Sequence, residues 1–123
     1  MNYRKFLIAA LLVMSFAVQA KDITVTRLTC EMRDGRVTTS DTPRLGWQMS
    51  SPENGTRQTA YEIEIRDVWA GKVVWNSGKV KSAQSQLVSC ADAVLEKDRH
   101  YTWRVRVWDE ADTPSAWSAP SDF

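Results

Sequence analysis

The sequence predicts an all-β sandwich of about seven short strands. Three observations predict it. Tyr101 to Asp109 alternates residue by residue, the period of a strand with two distinct faces. Turn residues recur at near-regular intervals along the chain. No helical period runs through residues 21–123.

The elements follow in order. Ile23 to Glu31 alternates loosely and reads as a first strand. Met32 to Pro43 carries Gly35 and Pro43 and reads as a loop. Arg44 to Met49 places Leu45, Trp47 and Met49 on one face. Ser50 to Thr56 contains Pro52 and Asn54-Gly55, both turn signals. In Tyr61 to Arg66, Tyr61, Ile63 and Ile65 point inward and the charges outward, as in a half-buried antiparallel strand. Ala70-Gly71 turns the chain into Lys72 to Trp75, which Asn76-Ser77-Gly78 ends. Gln86 to Cys90 is a short fifth strand and Tyr101 to Asp109 a long sixth. Glu110 to Pro114 turns, and Ser115 to Phe123 is expected as the seventh.

Leu95, a charged turn over residues 96–99 and then Tyr101 resemble the tyrosine corner of immunoglobulin-like sandwiches. There the phenol returns to upstream backbone. The expected fold is therefore an immunoglobulin-like, fibronectin type III β-sandwich.

Residues 1–20 read as a secretory signal peptide. Arg4 and Lys5 precede an apolar run from Phe6, and Val18-Gln19-Ala20 supplies small residues for cleavage. The run is too short for a stable membrane span. The expected product is one domain, residues 21–123, exported to the periplasm or the medium. Its 16 basic side chains fall to 14 without Arg4 and Lys5, against 15 acidic ones. That balance gives no electrostatic case for nucleic acid or an anionic membrane.

Export invites a disulfide between Cys30 and Cys90. The strand order argues against it. The first and fifth strands flank the second in one sheet, so the cysteines stand two strand spacings apart, roughly 9–10 Å. Bridged Cα atoms reach only about 7 Å. Two small buried apolar residues are the simpler reading.

Candidate chemistry is sparse. His100 is the sole histidine, and no nucleophile elbow or zinc spacing accompanies it. It reads as a solvated loop residue. Asp109, Glu110 and Asp112 gather at one hairpin without the glycine or spacing of a calcium loop. They read as a turn. Asn54-Gly55-Thr56 matches a glycosylation sequon and reads as a turn too. Neither a metal nor a cofactor is expected.

Four tryptophans, Trp69, Trp75, Trp108 and Trp117, lie outside the expected core of Trp47 and Trp103. Exposed, they would suit a sugar platform. Arg104 and Arg106 share the outer face of the long strand with Trp108, so an Arg–Trp ladder is favoured. Ser115-Ala116-Trp117-Ser118 resembles the Trp-Ser signature of such ladders in cytokine-receptor type III domains. Arg104, Arg106, Trp108 and Trp117 are the candidate binding or domain-contact residues, since interfaces favour Trp and Arg. The core indoles are each expected to find a hydrogen-bond partner.

Five segments in order resemble the amino-terminal fibronectin-type-III-like domain of bacterial α-L-rhamnosidases of glycoside hydrolase family 78. They are Pro43 to Gln48, Gln58 to Ile63, Trp75 to Val80, Tyr101 to Asp109 and Ser115 to Ser118. Leu28 to Glu31 is similar to the family's first strand, while Asn76 stands where the family often has Asp. The resemblance implies that hydrolysis belongs to a later helical barrel whose acidic residues act as acid and base. This chain is then expected as a non-catalytic accessory module whose partners are the parent glycosidase's other domains. The alternative is a stand-alone secreted module for protein or for rhamnose-containing glycan.

Overall fold

A computed structural model describes residues 23–31, 33–34, 43–51, 55–96 and 98–123. The signal segment, Asn54 of the sequon and most of the loop from Met32 to Pro43 lie outside the described residues. Eight strands occur in chain order: β1 (Thr24–Cys30), β2 (Arg33–Asp34), β3 (Arg44–Ser50), β4 (Ala60–Asp67), β5 (Lys72–Asn76), β6 (Val88–Ser89), β7 (Tyr101–Trp108) and β8 (Ser121–Asp122). They form two antiparallel sheets, ordered β2-β1-β3-β6 and β5-β4-β7-β8. The chain is an all-β sandwich, as the alternation predicts.

The inner faces meet in one core. Leu45 and Trp47 come from β3, Ile63 and Ile65 from β4, and Trp103, Val105 and Val107 from β7. Trp47 packs between Tyr61, at 5.3 Å between ring centroids, and Trp103, at 6.4 Å. Such aromatic pairs add about 0.5–1.5 kcal/mol beyond area burial. Gly46 lies on β3 where a Cβ would meet Thr29 Oγ1 at 2.9 Å and the Ser85 carbonyl at 3.3 Å. The missing side chain lets β1 and the approach to β6 close on β3.

The tyrosine corner is formed. The Glu96 backbone N–H donates to the Tyr101 hydroxyl at 2.8 Å. Leu95 packs against the core beside it. Cys30 and Cys90 are both buried and free. Cys30 pairs with Leu45 on β3, and Leu45 pairs on its other side with Val88. The intervening strand keeps the thiols apart.

Three expectations need correction. First, the segment read as an uninterrupted loop contains β2, which pairs Arg33 with Cys30. Second, Ser115 to Phe123 is not one strand; only Ser121–Asp122 is regular. Its first half follows β7 through side chains. Ser115 N–H donates to the Val107 carbonyl at 2.7 Å, and Val107 N–H donates back to Ser115 Oγ at 3.1 Å. Ser118 repeats this exchange with Val105 at 2.9 and 3.1 Å. The two serines are three residues apart and the two valines only two, so the segment bulges by one residue. Third, the core indoles differ. Trp47 Nε1 donates to Gln58 Oε1 at 3.0 Å, whereas Trp103 Nε1 is buried without a hydrogen-bond partner. Its ring sits deep in the core, where packing outweighs the cost of one unmade bond.

Among the described residues, no helix is long and apolar enough to cross a membrane.

Candidate functional site

The outer face of the β4–β7 pair carries the candidate residues. Cross-strand register sets Glu62 opposite Arg106 and Glu64 opposite Arg104. Directly opposed side chains of opposite charge attract across the ladder. Arg106 Nε donates to Glu62 Oε1 at 2.8 Å, and Arg104 Nε to Glu64 Oε1 at 2.9 Å. Asn76 Nδ2 donates to the second Glu62 oxygen at 3.1 Å.

Aromatic rings interleave with these cations. The bulge at Ser115–Ser118 turns Trp117 back over β7. Its ring lies 4.3 Å from the Arg104 guanidinium and 4.8 Å from that of Arg106. Arg106 in turn lies 5.1 Å from the Trp108 ring, and Lys79 Nζ lies 4.9 Å from its centroid. The stack runs Arg104, Trp117, Arg106, Trp108, Lys79. Lys79 also pairs with Asp112 at 2.6 Å. All four candidate residues, Arg104, Arg106, Trp108 and Trp117, therefore meet in one continuous stack. A shallow groove of about 260 Å³ runs beside it between Arg66, Arg104, Ser118 and Pro120.

Glu62, Glu64, Lys79 and the two serine hydroxyls complete the face, and sequence reasoning did not select them. Their signal was present. Alternate charges on β4 match those on β7 once register is known, and Ser-x-x-Ser brackets Trp117.

The four outer tryptophans do not form one platform. Trp108 points outward but is only 8 % exposed beneath Arg106 and Lys79. Trp75 is opposite Ile65 and packs against the core from the edge strand. Trp69 alone of the four stands well out in solvent, at 62 %.

The remaining candidates are engaged locally. Asp109 Oδ1 accepts the N–H groups of Ala111 and Thr113 at 2.9 and 3.1 Å, the pattern of an Asx turn. Glu110 accepts the Arg57 N–H at 2.9 Å, which holds its carboxyl below the usual range. His100 Nε2 meets Asp122 at 2.9 Å across the edge of β7. Among the described residues, no group of three or more His, Cys, Asp or Glu is placed to hold a metal. Burial pushes the Cys30 thiol up to about 11 and the Cys90 thiol to about 12, far from a reactive thiolate.

What this geometry offers is stacking and ion pairing on a stiff sheet. Comparison with known proteins agrees with such a module. The family described as Rha78A-like, N-terminal immunoglobulin domain matches residues 25–123. An α-L-rhamnosidase of Streptomyces avermitilis is 46 % identical over 82 residues, which is 64 % of this chain and 8 % of that protein. The crystal structure of a Streptomyces avermitilis α-L-rhamnosidase complexed with L-rhamnose superposes with a TM-score of 0.75 at 39 % identity. That match covers 81 % of this chain and 10 % of the other. An α-L-rhamnosidase from Dictyoglumus thermophilum superposes with a TM-score of 0.73 at 26 % identity, covering 81 % of this chain and 12 % of its own. The chain thus spans about a tenth of the length of the relatives it matches. By its match over nearly all the described residues, the chain belongs to the Rha78A-like N-terminal immunoglobulin domain family.

Proposed function

We propose that this chain is the non-catalytic accessory module of an exported α-L-rhamnosidase. One observation carries the reading: the fold accounts for 8 % of a 46 % identical α-L-rhamnosidase and leaves the bulk of that protein for catalysis. The local commitments of His100, Asp109, Glu110 and Asp112 support it, since each already engages a neighbouring side chain or backbone N–H. The segment 1–20 directs export, with cleavage after Ala20.

The module's task is architectural. It spaces and orients the domains of the parent glycosidase. Arg104, Arg106 and Trp117 form a lateral contact face, with Trp108 supporting Arg106 from beneath, because stacked guanidinium and indole planes suit a partner surface.

Purified residues 21–123 are assayed on an aryl α-L-rhamnoside for the test. No turnover above buffer is expected, and turnover that tracks the purified chain overturns the reading. Tryptophan fluorescence in a titration with rhamnose-containing oligosaccharide should also stay flat. A saturable change lost in Trp117→Ala would instead make the chain a glycan-binding module.

A further inference from the structure

The turn between β4 and β5 exposes apolar surface on a rigid support. Trp69 is 62 % exposed and its neighbour Val68 39 %. The backbone beneath them is held at several points. Asp67 accepts the Gly71 N–H on its carbonyl and the Ala70 N–H on Oδ1, both at 2.9 Å. Val68 N–H donates to the His100 carbonyl at 2.9 Å, which ties the turn to the loop before β7. The Arg99 guanidinium pairs with Asp67 and lies 5.2 Å from the Trp69 ring.

Arg99 covers only part of this indole, which stays far more exposed than Trp108 of the ladder. Rigid display lowers the ordering cost of binding.

The position of the turn says which contact. Asp67 pairs with Tyr101 across β4 and β7. Tyr101 exchanges both backbone hydrogen bonds with Phe123, at 3.2 and 3.0 Å. Phe123 therefore lies two strand spacings from Asp67, roughly 9–10 Å. Its ring stacks on Tyr101 at 5.6 Å, so the exit of the chain is anchored there. Val94, 89 % exposed, lies in the loop that leads into this end of β7.

We propose that Val68 and Trp69, braced by Arg99, seat the domain that follows Phe123 in a polypeptide of the relatives' length. The inference rests on the accessory-module reading. It adds a contact at the end of the sandwich, separate from the lateral ladder. A domain that begins at Phe123 is delivered beside Trp69 at high effective concentration, so a small apolar contact suffices to fix its orientation.

The experiment is residue-resolved hydroxyl-radical footprinting of two proteins. One is the 123-residue chain; the other is the whole polypeptide encoded by the source gene. Oxidation of Trp69 should be several-fold slower in the longer protein. Trp69→Ser should lower the first thermal transition of the longer protein and leave that of the 123-residue chain in place. Equal oxidation of Trp69 in both proteins overturns this contact alone. A source gene that closes at the Phe123 codon overturns both the contact and the accessory-module reading.

Discussion

The hydroxyl of Tyr101, the first residue of β7, accepts the backbone N–H of Glu96 at 2.8 Å and pins the preceding loop to the core. Tyr101→Phe keeps the ring stacked on Phe123 and removes only this acceptor. The expected loss is about 0.5–1.5 kcal/mol, the net value of one hydrogen bond. Urea denaturation of both proteins checks it; an unchanged midpoint would show that the corner contributes nothing.

Gln58 holds three groups at once. Its Oε1 accepts Trp47 Nε1–H at 3.0 Å, and its Nε2 donates to the Ser82 and Gln84 carbonyls, each at 2.9 Å. Gln58→Ala should cost about 1–3 kcal/mol for each group left dry and unpaired. Gln58→Glu keeps an acceptor for the indole but turns a buried carboxylate oxygen toward two carbonyl oxygens, so it should be at least as destabilising as Gln58→Ala. Calorimetric midpoints of the three proteins would order them.

Trp117 is shared by two guanidinium groups. Trp117→Ala should remove about 1–2 kcal/mol, two cation–π contacts at about 0.5–1 kcal/mol each. Trp117→Phe should recover part of that loss. Equal stabilities for all three proteins would mean that the stack is ornamental.

Stability should fall at both ends of the pH scale. Hydrogen bonds from Arg44 hold the Glu31 carboxyl below its usual range, and the Ala70 N–H followed by Arg99 does the same for Asp67. Depressed carboxyls contribute stability above their unfolded values, near 4, and lose it as pH falls through the folded ones. Buried thiols run the other way. Cys30 at about 11 and Cys90 at about 12, against 9.0 unfolded, contribute below 9 and lose that contribution as pH rises toward 12. Denaturant midpoints across pH 2 to about 11 trace both limbs. Native protein at about pH 8 should also leave both thiols unmodified by iodoacetamide, whereas denatured protein should be modified at both.

The long strand was legible because period two in Tyr101–Trp108 coincides with burial at alternate positions. The tyrosine corner was legible because its parts are close in sequence. The Arg–Trp stack was legible in composition, yet its order was not. Register decides that Glu62 faces Arg106, 44 residues further along the chain. β2 escaped notice because two residues carry no period. The last strand misled for a different reason. Ser115 and Ser118 supply side-chain acceptors where a strand would supply carbonyls, and alternation cannot distinguish the two. Trp75 misled because an edge strand's inward residue is only half covered.

The serine hydroxyls have a sibling on the opposite flank. Ser77 Oγ accepts the Ile63 N–H at 2.8 Å while Ser77 N–H donates to the Ile63 carbonyl at 2.9 Å. Residues 77 and 80 thereby follow β4 as residues 115 and 118 follow β7. The central strand pair is thus bordered along these stretches by kinked segments whose serine hydroxyls, joined at Tyr61 by the Val80 carbonyl, already accept its outward N–H groups. An incoming β-segment would find neither a straight template nor free donors there. The segments act as a guard against runaway strand addition along these two edges.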